Sequence, residues 1–475
     1  MNATVSITKP SLHQRVFDVL SKFRLIPRIE TYPSVVSFAQ TPLGRIILLA
    51  LFSRGLRVFL PNWRSTLIIV LFIALMTFLP EHRRLVLALG SFALLVKEEH
   101  WNPLLLCLDM AVIALGVLLY WSAMRWPKSH FGQRPIAFLL TGLTVLILSA
   151  SAAAPQSFSY SILWPLVGAA VSYVWFIAYV LTDRNSRPAK DLTLELTALR
   201  PLWGSTNTPF PKGAAYLRRI EAQNPEQLAV VQLKGLKLLA WAILLAVFQG
   251  LWLNFFHGKL RIPTADQALA MSVQGSPVVW HLRWESLILG FFESILTMSI
   301  LGHRIIAGCR MAGFNALRNT YRPLSSRTIA EFFNRFYYYF KELLVDFFFY
   351  PVFLRYWKGH RRLRMVCATF AAAFFGNAFY HFTRDWQIIR DKGLWITSAN
   401  FESYLLYCFI LALGLSISQL RKRAPRPGSI IRGTLFPVLG VCLFFCLLSI
   451  FDSTVKDYPF VEHMRFFASL FFIRF

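Results

Sequence analysis

Acidic side chains are scarce: 23 Asp and Glu stand against 50 Lys and Arg, for a formal net charge of +27, and charged residues make up only 15% of the 475-residue chain. So few charges cannot clothe the surface of a water-soluble protein. With 56% hydrophobic residues and a mean hydropathy of +0.50, the chain reads as an integral membrane protein. Cysteine is also sparse, and Cys107, Cys309, Cys367, Cys408, Cys442 and Cys446 show no metal-ligand spacing. Cys442 and Cys446 share a helix face but have no His or Cys neighbour in sequence, so packed thiols are expected. Zinc, haem and nucleotide motifs are missing, so no bound cofactor or metal is expected. A sustained apolar core is lacking in the first forty residues, which carry Lys9, Arg15, Lys22, Arg24 and Arg28, and no cleavable signal is expected there.

A pI near 10.3 invites a nucleic-acid reading. That reading fails on placement, because the Lys and Arg flank apolar spans, as the positive-inside rule and anionic lipid require. Forty-four Phe and fourteen Trp suit lipid-facing helices and interfacial belts. The expected fold is all-α, a polytopic bundle of about ten transmembrane or re-entrant helices.

In chain order, residues 1–60 form a basic N-terminal interfacial segment, in which Gly44 to Leu60 reads as interfacial or re-entrant. Residues 61–181 are N-terminal transmembrane helices: two short runs, Ser65 to Leu79 and Leu85 to Val96, then spans at Leu104–Trp121, Ile136–Ala153 and Ser159–Leu181. Asp109 lies in the first of those spans, as a cavity-lining group or a cap. Residues 182–237 are a polar insertion expected to face the cytoplasm, too short and too polar to form its own core. Its second part reads as an amphipathic helix broken near Asn224-Pro225 and running into the next span. Residues 238–475 are the core region, with spans at Leu282–Leu301, Phe401–Leu420 and Ile431–Phe451 and a final helix held against the bundle. Glu285 and Glu293 fall within the first of these, and Glu293 is expected to pair with Arg304, Arg310 or Arg335. The charge bias gives the N-terminus and the insertion one side only if a helix is re-entrant.

The chemistry-bearing stretch runs from Ile305 to His381. Pro323, Ser325 and Ser326 read as a turn with a Ser N-cap that opens a helix over 327–349, stopped by Pro351. On a straight helix Arg335, Tyr339, Glu342 and Asp346 share one face, and Glu331 lies four residues before Arg335. Such a stripe must face protein or a water-filled cavity, since a lone charge in hydrocarbon costs roughly 2.5 kcal/mol or more. A second helix, 363–382, has small residues at Ala371–Ala373 and Gly376 that admit a close neighbour, and ends at His381. Of the ten histidines His381 is the one best placed inside a long apolar run. A neutral imidazole there suits general-base work, and the bland alternative is a capped helix end bonded to a backbone carbonyl.

These residues resemble the signature of the membrane-bound O-acyltransferases, most closely the bacterial branch that acetylates alginate and D-alanylates teichoic acid. That branch has a G-F-x-x-x-x-N element, a proline turn, an F-W-x-R-W-H-type helix, then an Asp and a Pro, and a histidine closing a later apolar helix. Here Gly313-Phe314 and Asn319, Pro323, the segment Glu331 to Tyr337, Asp346, Pro351 and His381 follow in the same order. The chain departs at Tyr337, where the family carries His or Asn, and at Phe333 and Phe336, where it carries Trp. The resemblance implies acyl transfer from acyl-CoA or an acyl-carrier thioester to a hydroxyl of a glycan, glycolipid or metabolite, in the bacterial inner membrane. It implies membrane lipid and a possible acyl-carrier or envelope protein as partners.

In that reading His381 is the base and Tyr337 donates a hydrogen bond to the carbonyl. Arg335, Glu342 and Asp346 fix the helix and tunnel wall, with Asn334 and Asn319 supporting them, and Asn377 lies one turn before His381. Two other classes remain: a member of the family without chemistry that serves as a channel or scaffold, and an unrelated transporter working through Asp109, Glu285 and Glu293.

Overall fold

Three of the helices begin where proline and a short polar cap coincide. Asn102 accepts the Leu105 N–H ahead of Pro103 (3.2 Å), Thr41 accepts the Gly44 N–H ahead of Pro42 (3.0 Å), and Asn224 accepts the Gln227 N–H ahead of Pro225 (2.8 Å). Proline lacks the N–H that a first turn would leave unpaired, and the cap oxygen satisfies one of the others. In hydrocarbon that economy is obligatory, so the spans are helical throughout.

The computed structural model describes residues 25–60, 62–99, 102–183, 195, 201–204, 208–276, 278–421, 431–452 and 458–473. It is 81% helical, with no strand among the described residues. Eight helices are long and apolar enough to cross a membrane: Pro103–Arg125, Pro135–Ala152, Phe158–Asp183, Pro225–Lys259, Trp280–Met311, Arg361–Arg384, Glu402–Leu420 and Gly433–Asp452. Two further pairs, Pro33–Gln40 with Pro42–Leu56 and Trp63–Phe78 with Pro80–Val96, are bent by 95° and 117° and raise the number to as many as ten. The all-α polytopic expectation therefore holds, bent elements included. The chain is a membrane protein.

Contacts at one end of the bundle bring distant segments together. Glu30 pairs with Lys237, and Arg83 and Arg84 pair with Glu221 at 3.5 and 2.9 Å. The N-terminal segment and the polar insertion thus meet at the same end. The basic lead-in before residue 25, residues 184–194 and the basic turn 422–428 lie outside the described residues.

Part of the polar insertion is not peripheral. Leu202, Phe210 and Ala214 are fully buried, and the Trp203 indole N–H donates to the Phe210 carbonyl (2.7 Å). The insertion contributes its apolar residues to the bundle core. At the C-terminus, the Phe460–Ser469 helix is held where expected, with Trp280 and Trp284 both donating to the Leu470 carbonyl.

Two acids within the spans find partners on neighbouring helices. Asp109 is buried inside the Pro103–Arg125 helix, away from its ends, and accepts from the Tyr173 hydroxyl (3.2 Å). Glu293 does not pair with an arginine: it binds His257 Nε2 (2.7 Å) and the Trp252 indole (3.2 Å), both on the neighbouring helix. An imidazole and an indole satisfy a carboxylate in hydrocarbon without drawing a permanent charge after it.

The small-residue stretch before His381 does admit a close neighbour. A Cβ at Gly376 would lie 2.6 Å from the Phe348 ring. Gly376→Ala should therefore cost about 1–3 kcal/mol as an overpacked contact, read as a lowered unfolding midpoint in detergent. Gly359→Ala, at an open position, should leave the midpoint unchanged.

Candidate functional site

The expected straight helix over 327–349 is broken. It starts at Ile329, N-capped by Thr328 rather than by a serine, with Thr328 Oγ1 accepting the Glu331 N–H (3.0 Å). It ends at Phe336, and Tyr337 takes a non-helical conformation (φ −137°, ψ 75°) before a second helix, Tyr338–Leu344. A π-helical turn, Val345–Phe349, follows. Pro351 does not stop the chain, which stays helical through Arg355. The wider turn just before it takes up the proline ring that an α-turn would reject.

Breaking a helix exposes carbonyls on one side and N–H groups on the other. The segment Asn319–Tyr321 satisfies both. The Tyr321 N–H donates to the Arg335 carbonyl (2.8 Å) and the Thr320 hydroxyl to the Phe336 carbonyl (2.8 Å). Beyond the break, the Tyr338 N–H donates to the Asn319 carbonyl (2.9 Å) and the Tyr339 N–H to Asn319 Oδ1 (3.2 Å). Asn319 is buried, and Gly302 leaves room for it: a Cβ there would come within 2.7 Å of the Asn319 Cβ. Asn319 is thus a positioning residue for Tyr337, a role that motif spacing alone does not reveal.

The break divides the expected stripe. Arg335 pairs with Glu331 as four-residue spacing predicts (2.6 Å), and its other Nη donates to Ser325 Oγ (2.7 Å), fastening the proline turn. It points away from the remaining members. Tyr339 is buried and donates to the Leu317 carbonyl (2.9 Å). Glu342 and Asp346 converge on Lys212 of the polar insertion, at 2.5 and 2.8 Å, with Lys341 also on Glu342 and the Tyr179 hydroxyl on Asp346 (3.2 Å). Asn334 is exposed along a separate cavity of about 170 Å³ that also contains Lys341, Thr369 and Gln419.

His381 lies on Asn377–Arg384, the end of the helix that begins at Arg361 and passes through a π-turn at Ala371–Gly376. Its half-buried ring packs against Tyr404 at 4.6 Å, Tyr380 at 5.2 Å and the edge of Phe340 at 5.5 Å. Asn377 Oδ1 accepts from the Tyr404 hydroxyl (3.2 Å), so Asn377 acts on His381 through the tyrosine. Tyr337 packs against the same Phe340 at 5.5 Å and against Phe210 at 5.9 Å. Phe340 is therefore the shared neighbour of the two candidate catalytic groups. Arg335 and Asn334 are not part of this assembly.

Sequence reasoning missed Lys212, Tyr404, Phe340 and Thr208, the last of which shares a 2.8 Å hydrogen bond with the Tyr380 hydroxyl. Trp203 and Phe210 in an otherwise polar insertion were the available signal that this segment turns inward. No protein-family model matches the chain, and no curated protein matches it.

The Lys212 cluster has a defined electrostatic sense. Burial pushes the Glu342 carboxyl up, but Lys212 and Lys341 hold it below the ordinary range, whereas burial of Asp346 keeps that carboxyl raised despite the same lysine. Burial pulls Lys212 down, and the two carboxylates more than reverse this.

Three measurements test the site. Asn319→Ala should cost about 1–2 kcal/mol, as loss of a helix cap does, and should loosen the 337–339 amides in hydrogen exchange. Unchanged exchange there would remove Asn319 from the positioning role. Lys212→Met leaves two carboxylates facing each other and should cost about 2 kcal/mol, less than for a fully buried pair. Glu342, lowered in the fold, contributes stability that is complete above its unfolded pKa of about 4.3 and is lost as pH falls through its lowered value. Asp346, raised, acts in the opposite sense and costs stability above its raised value. On acidification the native chain should therefore lose stability relative to Glu342→Gln, read as a narrowing gap between their unfolding midpoints as pH falls through the lowered value.

Proposed function

We propose that the chain is a membrane-embedded O-acyltransferase that moves an acyl group from a thioester to a hydroxyl. Support comes from the resemblance of residues 313–351 and His381 to the membrane-bound O-acyltransferases. The single observation that carries it is the half-buried His381 in a spanning helix, packed against three aromatic rings and sharing Phe340 with Tyr337. An imidazole held among aromatic rings yet not fully enclosed has the chemistry to accept a proton from a bound hydroxyl.

In this reading the His381 imidazole takes the proton of the acceptor hydroxyl as its oxygen bonds to the thioester carbonyl carbon. The tetrahedral oxyanion receives the Tyr337 phenol hydrogen bond. Collapse breaks the C–S bond, and the imidazolium returns the proton to the departing thiolate. Asn377 and Tyr404 orient the imidazole, while the Lys212 cluster and Asn319 fix the helix that carries Phe340. Acetyl-CoA or an acyl carrier is the donor class, and a cell-envelope glycan, glycolipid or metabolite the acceptor class, in the bacterial inner membrane.

One observation favours a second reading, a membrane scaffold or channel of the same fold without chemistry. Tyr337 packs against two separate core clusters, as a structural aromatic does. The transporter reading is weakened, since two of its three acids, Asp109 and Glu293, are engaged by Tyr173, His257 and Trp252.

Transfer from radiolabelled acetyl- and longer acyl-CoA into membrane and polysaccharide fractions decides between the first two. His381→Ala at equal expression should lower transfer by about a hundredfold or more, and Tyr337→Phe should lower it less. Transfer by the native chain no greater than by His381→Ala, across donors and acceptors, would leave the scaffold reading.

A further inference from the structure

The basic excess is not spread evenly over loops. A cavity of about 450 Å³ lies among the N-terminal segment, the helix that starts at Pro225, the end of the Trp280–Met311 helix and the loop after it. Its lining carries five cations, Arg28, Lys234, Lys237, Arg310 and Arg318, and one acid, Glu30. That acid is taken by Lys237. Among the described residues Arg28, Lys234, Arg310 and Arg318 have no carboxylate partner.

Two of these guanidinium groups are not the solvated surface charges that the positive-inside rule places on loops. Arg310 is only 7% exposed, and its Nε and Nη2 both donate to the Ala316 carbonyl (3.0 and 2.7 Å), which fixes the plane and leaves Nη1 without a protein acceptor among the described residues. Arg318 is half-buried, with its guanidinium over the Tyr321 ring at 5.9 Å and no hydrogen-bond acceptor among the described residues. Holding several like charges in a common recess opposes folding, and a multiply charged anion reverses that cost. A guanidinium held in place, beside further guanidinium groups and the Lys234 ammonium, matches tetrahedral phosphate oxygens.

We propose that this cavity is a binding site for a phosphate-bearing anion of high charge, a pyrophosphate or phosphomonoester. The ligand is either a soluble phosphate compound or an anionic lipid headgroup presented at the end of the bundle. The inference stands apart from acyl transfer, since none of its residues belongs to the His381 assembly.

The test uses the full chain in detergent and in nanodiscs. In detergent, inorganic pyrophosphate should raise the unfolding midpoint above sodium chloride of equal ionic strength. Calorimetric affinity should fall at least about tenfold in Arg318→Gln and in Arg28→Gln/Lys234→Gln, whose two positions lie at the more open part of the lining. Arg355→Gln, an exposed cation elsewhere, should bind as the native chain does. In nanodiscs, phosphatidic acid retained through purification by the native chain and lost by the same variants would name the lipid source. Specific pyrophosphate binding without such retention would name the soluble one. A midpoint shift matched by sodium chloride, together with equal lipid retention by native chain and variants, overturns the proposal.

Discussion

The break at Tyr337 is the constraint on which the rest of the candidate site depends. A continuous helix from 327 to 349 would place Arg335 beside Glu342 and Asp346 and satisfy its own backbone. Interrupting it frees groups on both sides, and such groups are expensive in a lipid-surrounded bundle. Asn319, Thr320 and Tyr321 take up four of them with hydrogen bonds of 2.8–3.2 Å. With the two half-helices held out of line, Arg335 fastens the proline turn, the acids reach Lys212, and Phe340 meets both Tyr337 and His381.

The same logic governs charge. An acid embedded in hydrocarbon needs a partner nearby, and several here find theirs on other segments of the chain. Tyr173 serves Asp109, His257 and Trp252 serve Glu293, and Lys212 serves two acids at once. These interactions stabilise little relative to apolar packing, yet losing one member leaves its partner uncompensated. With 50 basic residues against 23 acidic ones, pairing runs out for the cations first. The unpaired remainder is found in part where Arg310 and Arg318 line one recess.

Much of the fold was legible because it follows from local rules. Hydropathy located the spans from Pro103 to Asp452, and the Asn224-Pro225 step marked a helix start with its cap, as found. The small residues around Gly376 announced a close helix neighbour, and Phe348 is there. What stayed hidden is non-local. The spacing of Arg335, Tyr339, Glu342 and Asp346 is equally compatible with a straight helix, because periodicity describes a helix but says nothing about whether a distant loop will make breaking it favourable. Nothing in the neighbourhood of Glu342 points to Lys212, and three nearby arginines were more obvious partners for Glu293 than a histidine on the adjacent helix. His381 was legible as an imidazole in an apolar run, and its aromatic surroundings were not, since Phe340 and Tyr404 approach it from other helices.

The loop that joins the basic recess to the helix break is short and shared. Arg310 grips the Ala316 carbonyl from the basic recess, the Tyr339 hydroxyl takes the Leu317 carbonyl from the opposite flank, and Asn319 closes the break two residues later. Arg318, half-buried between these anchors, belongs to the recess. A segment held from both sides at consecutive peptide groups has little freedom to shift one contact without the others, because packed interiors transmit small displacements instead of absorbing them. The loop therefore links the cationic end of the bundle to the helix break, and Phe314, Ala316, Asn319 and Thr320 within it are buried.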